Sequence, residues 1–150
     1  MSGDLYPDCM LRLAEAGAET THLDSPDASV TVDNPLCGDR VTIDLRCDAD
    51  GRVTELAHAV RGCVLCRAAT AVLADHAVGS GADEIDAIRA RLRARLRDAT
   101  PLPDDAEWQD LAVFEPVAGH RSRHECVLLP FEATLRALSE VRGSGGTAAP

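Results

Sequence analysis

The sequence predicts an α+β fold, in which a three-stranded antiparallel sheet carries helices on one face and a metal site at one end. Three observations predict it. Apolar and polar residues alternate with a period of two in segments 28–32, 40–48 and 52–61, as in half-buried strands. The turn Asp48-Ala49-Asp50-Gly51 joins the last two segments as an antiparallel hairpin. Apolar residues recur at helical spacing before and after this block, so helices should cover the apolar face of the sheet.

The elements follow one another in a simple order. The polar interruption Asp33-Asn34-Pro35 separates the first strand from the second. Gly17 and Gly79 are predicted to end helices, and Ser80 with Asp83 resembles a capping box at the start of another. The predicted helices are Leu5 to Ala18, Val64 to Gly79, a segment after Ser80 through Leu96, a short piece from Trp108 to Phe114, and Val127 to Val141 with Pro130 in its first turn.

Length and composition indicate one domain. A chain of 150 residues with 45% apolar residues can build a sizeable core. We expect a single domain over residues 1–142 and a disordered tail over residues 143–150, whose sequence GSGGTAAP is rich in glycine and small residues.

Charge and composition exclude several functions. The formal charge is -10, and all fifteen basic residues are arginine, which excludes a Walker-type phosphate loop and a Schiff-base lysine. Only four residues are aromatic, so nucleic-acid binding by base stacking is not expected. The first ten residues do not resemble a signal peptide, and no apolar run is long enough to span a bilayer. The chain is therefore expected to be cytoplasmic, with no membrane partner, and its bias toward arginine and alanine is typical of a bacterium with a G+C-rich genome.

Six cysteines are the main source of chemistry in this composition. In a reducing compartment they are metal ligands, redox thiols or small core residues more often than disulfide partners. Cys47 shares the apolar face of its strand with Ile43 and Leu45, and Cys9 lies on the apolar face of the first helix. Both are interpreted as core residues.

Three other cysteines lie at corners of the predicted chain path. Cys37 stands in the compact loop Asn34-Pro35-Leu36-Cys37-Gly38-Asp39, which can direct its thiolate and the Asp39 carboxylate toward one point. Cys63 and Cys126 each precede a predicted helix, whose N-terminal N–H groups and dipole should lower the pKa of their thiols. Three thiolates and one carboxylate can close a tetrahedral zinc site or hold an iron-sulfur cluster.

A dithiol oxidoreductase is the main alternative from another class. Cys63-Val64-Leu65-Cys66 forms a Cys-x-x-Cys motif between a predicted strand and a helix, which is the local setting of such enzymes. The preceding strands do not form a βαβ unit, however, and this interpretation gives Cys37 and Cys126 no role.

The same residues resemble a known family. The block NPLCGD at 34–39, the turn DGRV at 50–53, Gly62-Cys63 at the start of a small-residue helix and a third cysteine before a C-terminal helix are similar to the U-type iron-sulfur cluster assembly proteins. That family includes the IscU and SufU scaffolds and the N-terminal domain of NifU. The resemblance extends from about Tyr6 to Leu138.

The resemblance implies that Cys37, Asp39, Cys63 and Cys126 bind a metal or cluster, either Zn²⁺ or iron in a [2Fe-2S] cluster. The long segment between Cys63 and Cys126 is similar to the SufU branch, as is Arg123, which would support the site. The proline-and-lysine motif with which the IscU branch docks an Hsp70-type chaperone is absent from residues 117–123, so that docking is not expected.

The implied function is to accept sulfur from a cysteine desulfurase of the SufS or IscS type and to supply acceptor apo-proteins, without acting as a stand-alone enzyme. In a scaffold, Cys126 is the better candidate for the persulfide acceptor. In the alternative, a zinc-dependent sulfurtransferase of SufU type without a stable cluster, Zn²⁺ holds the four ligands until a desulfurase residue displaces one thiolate, and Cys37 accepts the sulfur.

Further candidates surround these residues. Cys66, one helical turn from Cys63, is either an additional ligand or a buried core residue, and His124, two residues before Cys126, is either an alternative ligand or a surface residue. The arginines between residues 89 and 97 lie on both flanks of the apolar stripe of their helix. They either cover the edge of the core or form a docking surface.

Overall fold

A computed structural model describes residues 8–34, 38–98, 113–114, 117 and 119–148, with only the backbone described for residues 8, 9, 122 and 142–148. The elements are α1 (Asp8–Gly17), β1 (Ala28–Asn34), β2 (Asp39–Cys47), β3 (Val53–Arg61), α2 (Val64–Ala77), α3 (Ala82–Asp98) and α4 (His124–Ala148), the last preceded by a 3₁₀ turn (Arg121–Arg123). The predicted α+β fold with three strands is confirmed.

The sheet has the order β1-β2-β3, and both pairs are antiparallel. Burial alternates residue by residue along β1, because successive side chains of a strand point to opposite faces. Val30 lies opposite Ile43 and Val32 lies opposite Val41, and all four are buried on the face that the helices cover. The strands therefore contribute one apolar layer to the core.

The opposite face of the β1-β2 pair is held by polar cross-strand contacts. The Thr31 and Thr42 hydroxyls lie 2.8 Å apart, and the Arg40 guanidinium donates to the Asp33 carboxylate at 2.7 Å. Asp44 is buried and accepts hydrogen bonds from the Ser29 hydroxyl and from the Leu23 N–H. Because Leu23 belongs to the segment after α1, Asp44 fixes that segment against the outer face of the sheet.

The β2-β3 hairpin turns where the sequence predicted. The Asp48 carboxylate accepts hydrogen bonds from the N–H groups of Asp50 and Arg52, and Gly51 adopts a φ of 83°. The register shifts at Arg46 and Cys47, which marks a bulge at the end of β2. Cys47 packs against the core on the predicted face but is only half-buried there, less than the sequence predicted for a core cysteine. Burial and the nearby carboxylates of Asp27 and Asp48 raise its pKa.

The helices form a layer on one face of the sheet. Helix α4 packs across β1 and β2 and also contacts α2 and α3, while α2 packs against β3 and α1 lies on α2. Helices α1 and α2 approach each other closely at Gly17, where a Cβ atom would lie 1.8 Å from the carbonyl oxygen of Arg67. Only glycine fits this contact.

The start of α3 differs from the predicted capping box. The Ser80 hydroxyl donates to the carbonyl of His76, 3.3 Å away, and does not cap α3. Instead, the Glu84 carboxylate accepts the N–H of Gly81 at 3.0 Å. The acidic half of the box is therefore present one residue later than predicted, because α3 begins at Ala82.

The last helix, in contrast, begins earlier than predicted. It starts at His124 and ends at Ala148, so Cys126 is its third residue and does not precede it. Pro130 accordingly lies in the second turn and cannot donate the helical hydrogen bond to the Cys126 carbonyl. The predicted helix from Trp108 to Phe114 falls almost entirely outside the described residues. The assignment of residues 1–142 as the domain and 143–150 as a disordered tail stays a prediction, although the backbone of α4 continues past Val141.

Within the described part of the chain, no helix combines the length and the apolar character that a membrane span requires.

Candidate metal centre

Asp39 is placed at the site by the turn between β1 and β2. The turn closes with a hydrogen bond from the Gly38 N–H to the Asn34 carbonyl, and Gly38 adopts a φ of 74°, which glycine tolerates without strain. Asp39 then begins β2 directly opposite Asn34. The residue is only 2% exposed. A carboxylate this deeply buried requires hydrogen bonds, a cation or both.

Cys63 lies at the corner where β3 ends and α2 begins. It is the residue before the first turn of α2, with an extended backbone (φ -75°, ψ 172°). Its N–H donates to Asp39 Oδ1 at 3.1 Å, and its Sγ lies 3.5 Å from Asp39 Oδ2. One carboxylate thus contacts both the backbone and the side chain of Cys63.

Cys126 reaches the same place from the opposite end of the chain. It lies in the first turn of α4, which packs across β1 and β2 and against α2, and it is fully buried. Its ligand atom and those of Asp39 and Cys63 all lie within 4.8 Å of one another. Three of the four ligands that the sequence predicted therefore converge.

The spacing of Cys63 and Asp39 suits two ligands of a single tetrahedral ion. With a zinc–sulfur bond of about 2.3 Å and a zinc–oxygen bond of about 2.1 Å, tetrahedral geometry separates sulfur and oxygen by about 3.6 Å. The Sγ to Oδ2 distance of 3.5 Å between Cys63 and Asp39 agrees with that value. Two sulfurs and one carboxylate are also donors suited to iron.

The thiol of Cys63 is strongly acidified, to a pKa of about 6. A hydrogen bond from the Cys126 side chain is the main cause, and the N–H groups of Cys66 and Leu65 in the first turn of α2 add to it. Burial and the Asp39 carboxylate act in the opposite direction. The helix N-terminus thus stabilises the Cys63 thiolate, as predicted, but the neighbouring thiol contributes more.

The other predicted site residues lie at different positions. Cys37 falls outside the described residues, as does the side chain of Cys9. Cys66 is fully buried in the core, and the group of converging ligand atoms does not include it. His124 is also buried, and it lines a cavity on the side of α4 that faces α3. Arg123 is half-buried at the end of the 3₁₀ turn before α4.

Gly62 is a site residue whose role its sequence pattern does not reveal. A Cβ atom at this position would lie 2.6 Å from Asp39 Oδ1 and 2.8 Å from the carboxyl carbon. The absence of a side chain therefore allows the carboxylate to lie against the corner before α2. The Gly62-Cys63 pair at a strand-to-helix corner indicates a tight turn in the sequence. The sequence does not indicate that Gly62 contacts Asp39, which lies 23 positions earlier.

Comparison with known proteins identifies relatives of this chain. Residues 6–117 match the family model of the NifU-like N-terminal domain, a range that ends before Cys126. The curated iron-sulfur cluster assembly scaffold protein IscU of Streptococcus pyogenes serotype M1 is 26% identical over 116 residues, covering 77% of this chain and 71% of that protein.

Two solved structures share the fold. The N-terminal part of a nitrogen-fixing NifU-like protein from Brucella abortus superposes with a TM-score of 0.86 at 34% identity, covering 95% of this chain and 97% of that one. A SufU scaffold from Fervidobacterium islandicum AW-1 gives a TM-score of 0.80 at 19% identity, covering 92% and 99%. The chain therefore belongs to the NifU-like N-terminal domain family, the U-type group that its motifs resemble.

Proposed function

We propose that this protein assembles iron-sulfur clusters, holding iron or a nascent [2Fe-2S] cluster through Cys37, Asp39, Cys63 and Cys126. The convergence of Asp39, Cys63 and Cys126 within 4.8 Å carries the proposal. The donors come from β2, the start of α2 and the start of α4, so their meeting is a property of the folded chain. The relative from Streptococcus pyogenes, itself a scaffold for cluster assembly, supports the same function.

The mixed donor set suits a cluster that must be passed on. Thiolates hold iron firmly, whereas a carboxylate is a harder and weaker donor toward an iron-sulfur cluster. Asp39 also accepts the Cys63 N–H, so its oxygens are shared between the backbone and the ligand position. The bond between Asp39 and the cluster would therefore break most readily when an acceptor apo-protein takes the cluster.

Sulfur would arrive as a persulfide from a cysteine desulfurase. The acceptor thiolate attacks the outer sulfur of the donor persulfide, a new S–S bond forms, and the donor cysteine leaves as a thiolate. The transfer needs no external oxidant or reductant. Cys37 and Cys126 are the candidate acceptors, with Arg123 in a supporting role.

Zinc-dependent sulfur transfer is a second candidate, which the burial of Cys126 favours. Cys126 is fully buried, so a donor protein could reach its sulfur only if the first turn of α4 moved. This supports Cys37 as the first acceptor. Bound Zn²⁺ would supply positive charge that keeps the ligand thiols deprotonated. The spacing of Cys63 and Asp39 suits this ion equally well.

Metal analysis separates the two candidates. The protein is purified with and without oxygen, and its zinc, iron and sulfide contents are measured with its visible spectrum. Thiolate-to-iron bands that survive desalting would support the scaffold, and one tightly held zinc without visible absorption would support sulfur transfer. Cys37→Ala, Asp39→Ala, Cys63→Ala and Cys126→Ala should each lower metal retention, whereas the control Cys47→Ala should not.

The acceptor is identified by mass spectrometry after incubation with a cysteine desulfurase and cysteine. One added sulfur atom on the peptide containing Cys37 or Cys126 would identify it. Full metal retention by the Cys37→Ala protein would overturn the four-ligand site. A reversible Cys63-Cys66 disulfide, with activity indifferent to Cys37 and Cys126, would instead support the dithiol oxidoreductase.

A further inference from the structure

Helix α3 carries a row of arginines, of which only some form ion pairs with carboxylates. Arg89, Arg93 and Arg97 are spaced four residues apart and share one flank of the helix. Arg89 pairs with Asp86 at 2.9 Å and with Glu132 at 3.7 Å. Among the described residues, Arg93 and Arg97 form no ion pair, although the charge of Arg93 acts on the pKa of Glu132 from a greater distance.

A third arginine joins them from another element. Arg121, in the 3₁₀ turn before α4, lines a cavity of about 230 Å³ with Arg93 and Arg97. The same three residues line an adjoining cavity of about 340 Å³. We call these three residues the arginine surface. Arg121 likewise forms no ion pair within the described part of the chain, although Glu125 also lines the first cavity and Asp98 the second.

Packing alone does not account for this cluster. An arginine in the last turn of α3 interacts favourably with the helix dipole, which is sufficient to explain Arg97. Arg121 is not part of that helix, and its approach adds repulsion between like charges. In a chain with a net charge of -10, carboxylates are abundant, yet none pairs with these three described side chains.

We propose that the arginine surface binds an acidic peptide segment of a partner protein. The two cavities are lined from Ala90 to Asp98 on α3, a span of eight residues or about 12 Å along the axis. Three to four extended residues cover that length, whereas a single oxyanion does not. Guanidinium groups bind carboxylates in bidentate geometry, and Leu128 adds an apolar contact in the first cavity.

The surface lies close to the metal centre along the chain. His124 lines the first cavity, and Cys126 follows two residues later on α4. A bound segment would therefore dock its protein beside the first turn of α4. This inference does not depend on the proposed function, because peptide binding can be measured without metal, cluster or sulfur.

The test uses a fluorescein-labelled decamer of glutamate and the full chain, with binding followed by fluorescence anisotropy. The decamer should bind the wild-type protein, and binding should weaken with added salt. Arg93→Glu combined with Arg97→Glu should weaken binding at least tenfold. The control, Arg12→Glu combined with Arg91→Glu, makes the same charge change at exposed positions on α1 and the other flank of α3. It should change binding less than twofold, and circular dichroism should show both variants folded.

Three outcomes would overturn the proposal. Equal weakening in the two double variants would show attraction by net charge alone. Full displacement of the decamer by inorganic phosphate at low millimolar concentration would assign the arginines to a small oxyanion. Binding that appears only after neutralising Asp104, Asp105 and Glu107 would assign the surface to the acidic segment of this same chain. Metal content unchanged by Arg93→Glu and Arg97→Glu would keep this test separate from that of the proposed function.

Discussion

Gly62 and the Asp39 carboxylate lie so close together that no side chain fits between them. A Cβ atom on Gly62 would stand 2.6 Å from Oδ1, closer than such atoms are found in proteins. The carboxylate thereby rests against the corner that leads into α2, where it accepts the Cys63 N–H at 3.1 Å. The position of one ligand thus depends on the absence of atoms at another residue.

Gly62→Ala should weaken metal binding by about 10- to 100-fold, the range typical of changes to residues that orient a ligand. The added methyl group must displace the Asp39 side chain, because it would contact both Oδ1 and the carboxyl carbon. Chelator competition measures the affinity. Gly119→Ala is the matched control, since open space surrounds that glycine. Unchanged affinity in Gly62→Ala would exclude Asp39 as a ligand.

The Cys63 thiol should react as a thiolate at neutral pH in metal-free protein. Its pKa of about 6 means that the folded state loses this proton near pH 6, whereas the unfolded chain retains it up to its ordinary pKa of 9.0. The contribution to stability is therefore complete above pH 9 and is lost as the pH falls through about 6. Peptide-resolved alkylation by iodoacetamide as a function of pH measures the titration.

Cys126→Ala should raise the pKa of Cys63, because it removes the hydrogen bond that lowers it most. Cys47→Ala, a change at the far end of β2, serves as the control and should leave the titration unchanged. If the alkylation profile of Cys63 were the same in wild type and Cys126→Ala, the two thiols would not interact in solution.

Cys66→Ala should retain the metal and lose stability by about 1 kcal/mol, since the residue is fully buried in the core and lies outside the converging group. Cys63→Ala, one helical turn away, should show the opposite pattern of metal loss with a folded core. Metal content and urea unfolding of the two proteins make the comparison. Loss of metal from Cys66→Ala would identify Cys66 as a ligand.

His58 should make the fold sensitive to acid. Burial lowers its pKa below the ordinary value of 6.5, with smaller opposing effects from Glu19 and Asp75, and its Nδ1 is buried without a hydrogen-bond partner among the described residues. The unfolded state therefore binds the proton more readily, and stability falls as the pH drops below about 6.5.

The measurement for His58 is the free energy of unfolding in urea at pH 7 and pH 5. His58→Phe should reduce the loss of stability between the two pH values, because the buried titrating group is gone. His120→Gln, at an exposed position, should lose as much stability as wild type. Equal losses in His58→Phe and wild type would show that His58 does not contribute.

Local patterns were sufficient to predict most of the fold. The period of two in β1 and β2 specified which side chains face the helices, and the register of the sheet followed from the Asp48–Gly51 turn and the short connection after Asn34. The start of α4 was placed too late, because Pro130 was assigned to the first turn. A proline in the second turn removes one hydrogen bond, which packing against the sheet and two other helices can offset.

For the site, the sequence by itself determined the kinds of donor and the corners at which they stand. The NPLCGD loop, the Gly62-Cys63 corner and the cysteine near a C-terminal helix are local features with local causes. They are sufficient to identify Asp39, Cys63 and Cys126 as candidate ligands. Cys66 stayed ambiguous, because small and apolar residues surround most of α2, so its pattern did not separate a core cysteine from an additional ligand.

Only the tertiary structure decided what depends on contacts between distant parts of the chain. The packing of α4 across the sheet brings Cys126 next to Asp39, which lies 87 positions earlier. There the Cys126 thiol lowers the pKa of Cys63 more than any other group does. Cys66, by contrast, is buried in the core and lies outside the group. The same packing sets Arg121 beside Arg93 and Arg97. These relationships arise when α3 and α4 pack together and α4 crosses the sheet, so no periodicity along the chain could predict them.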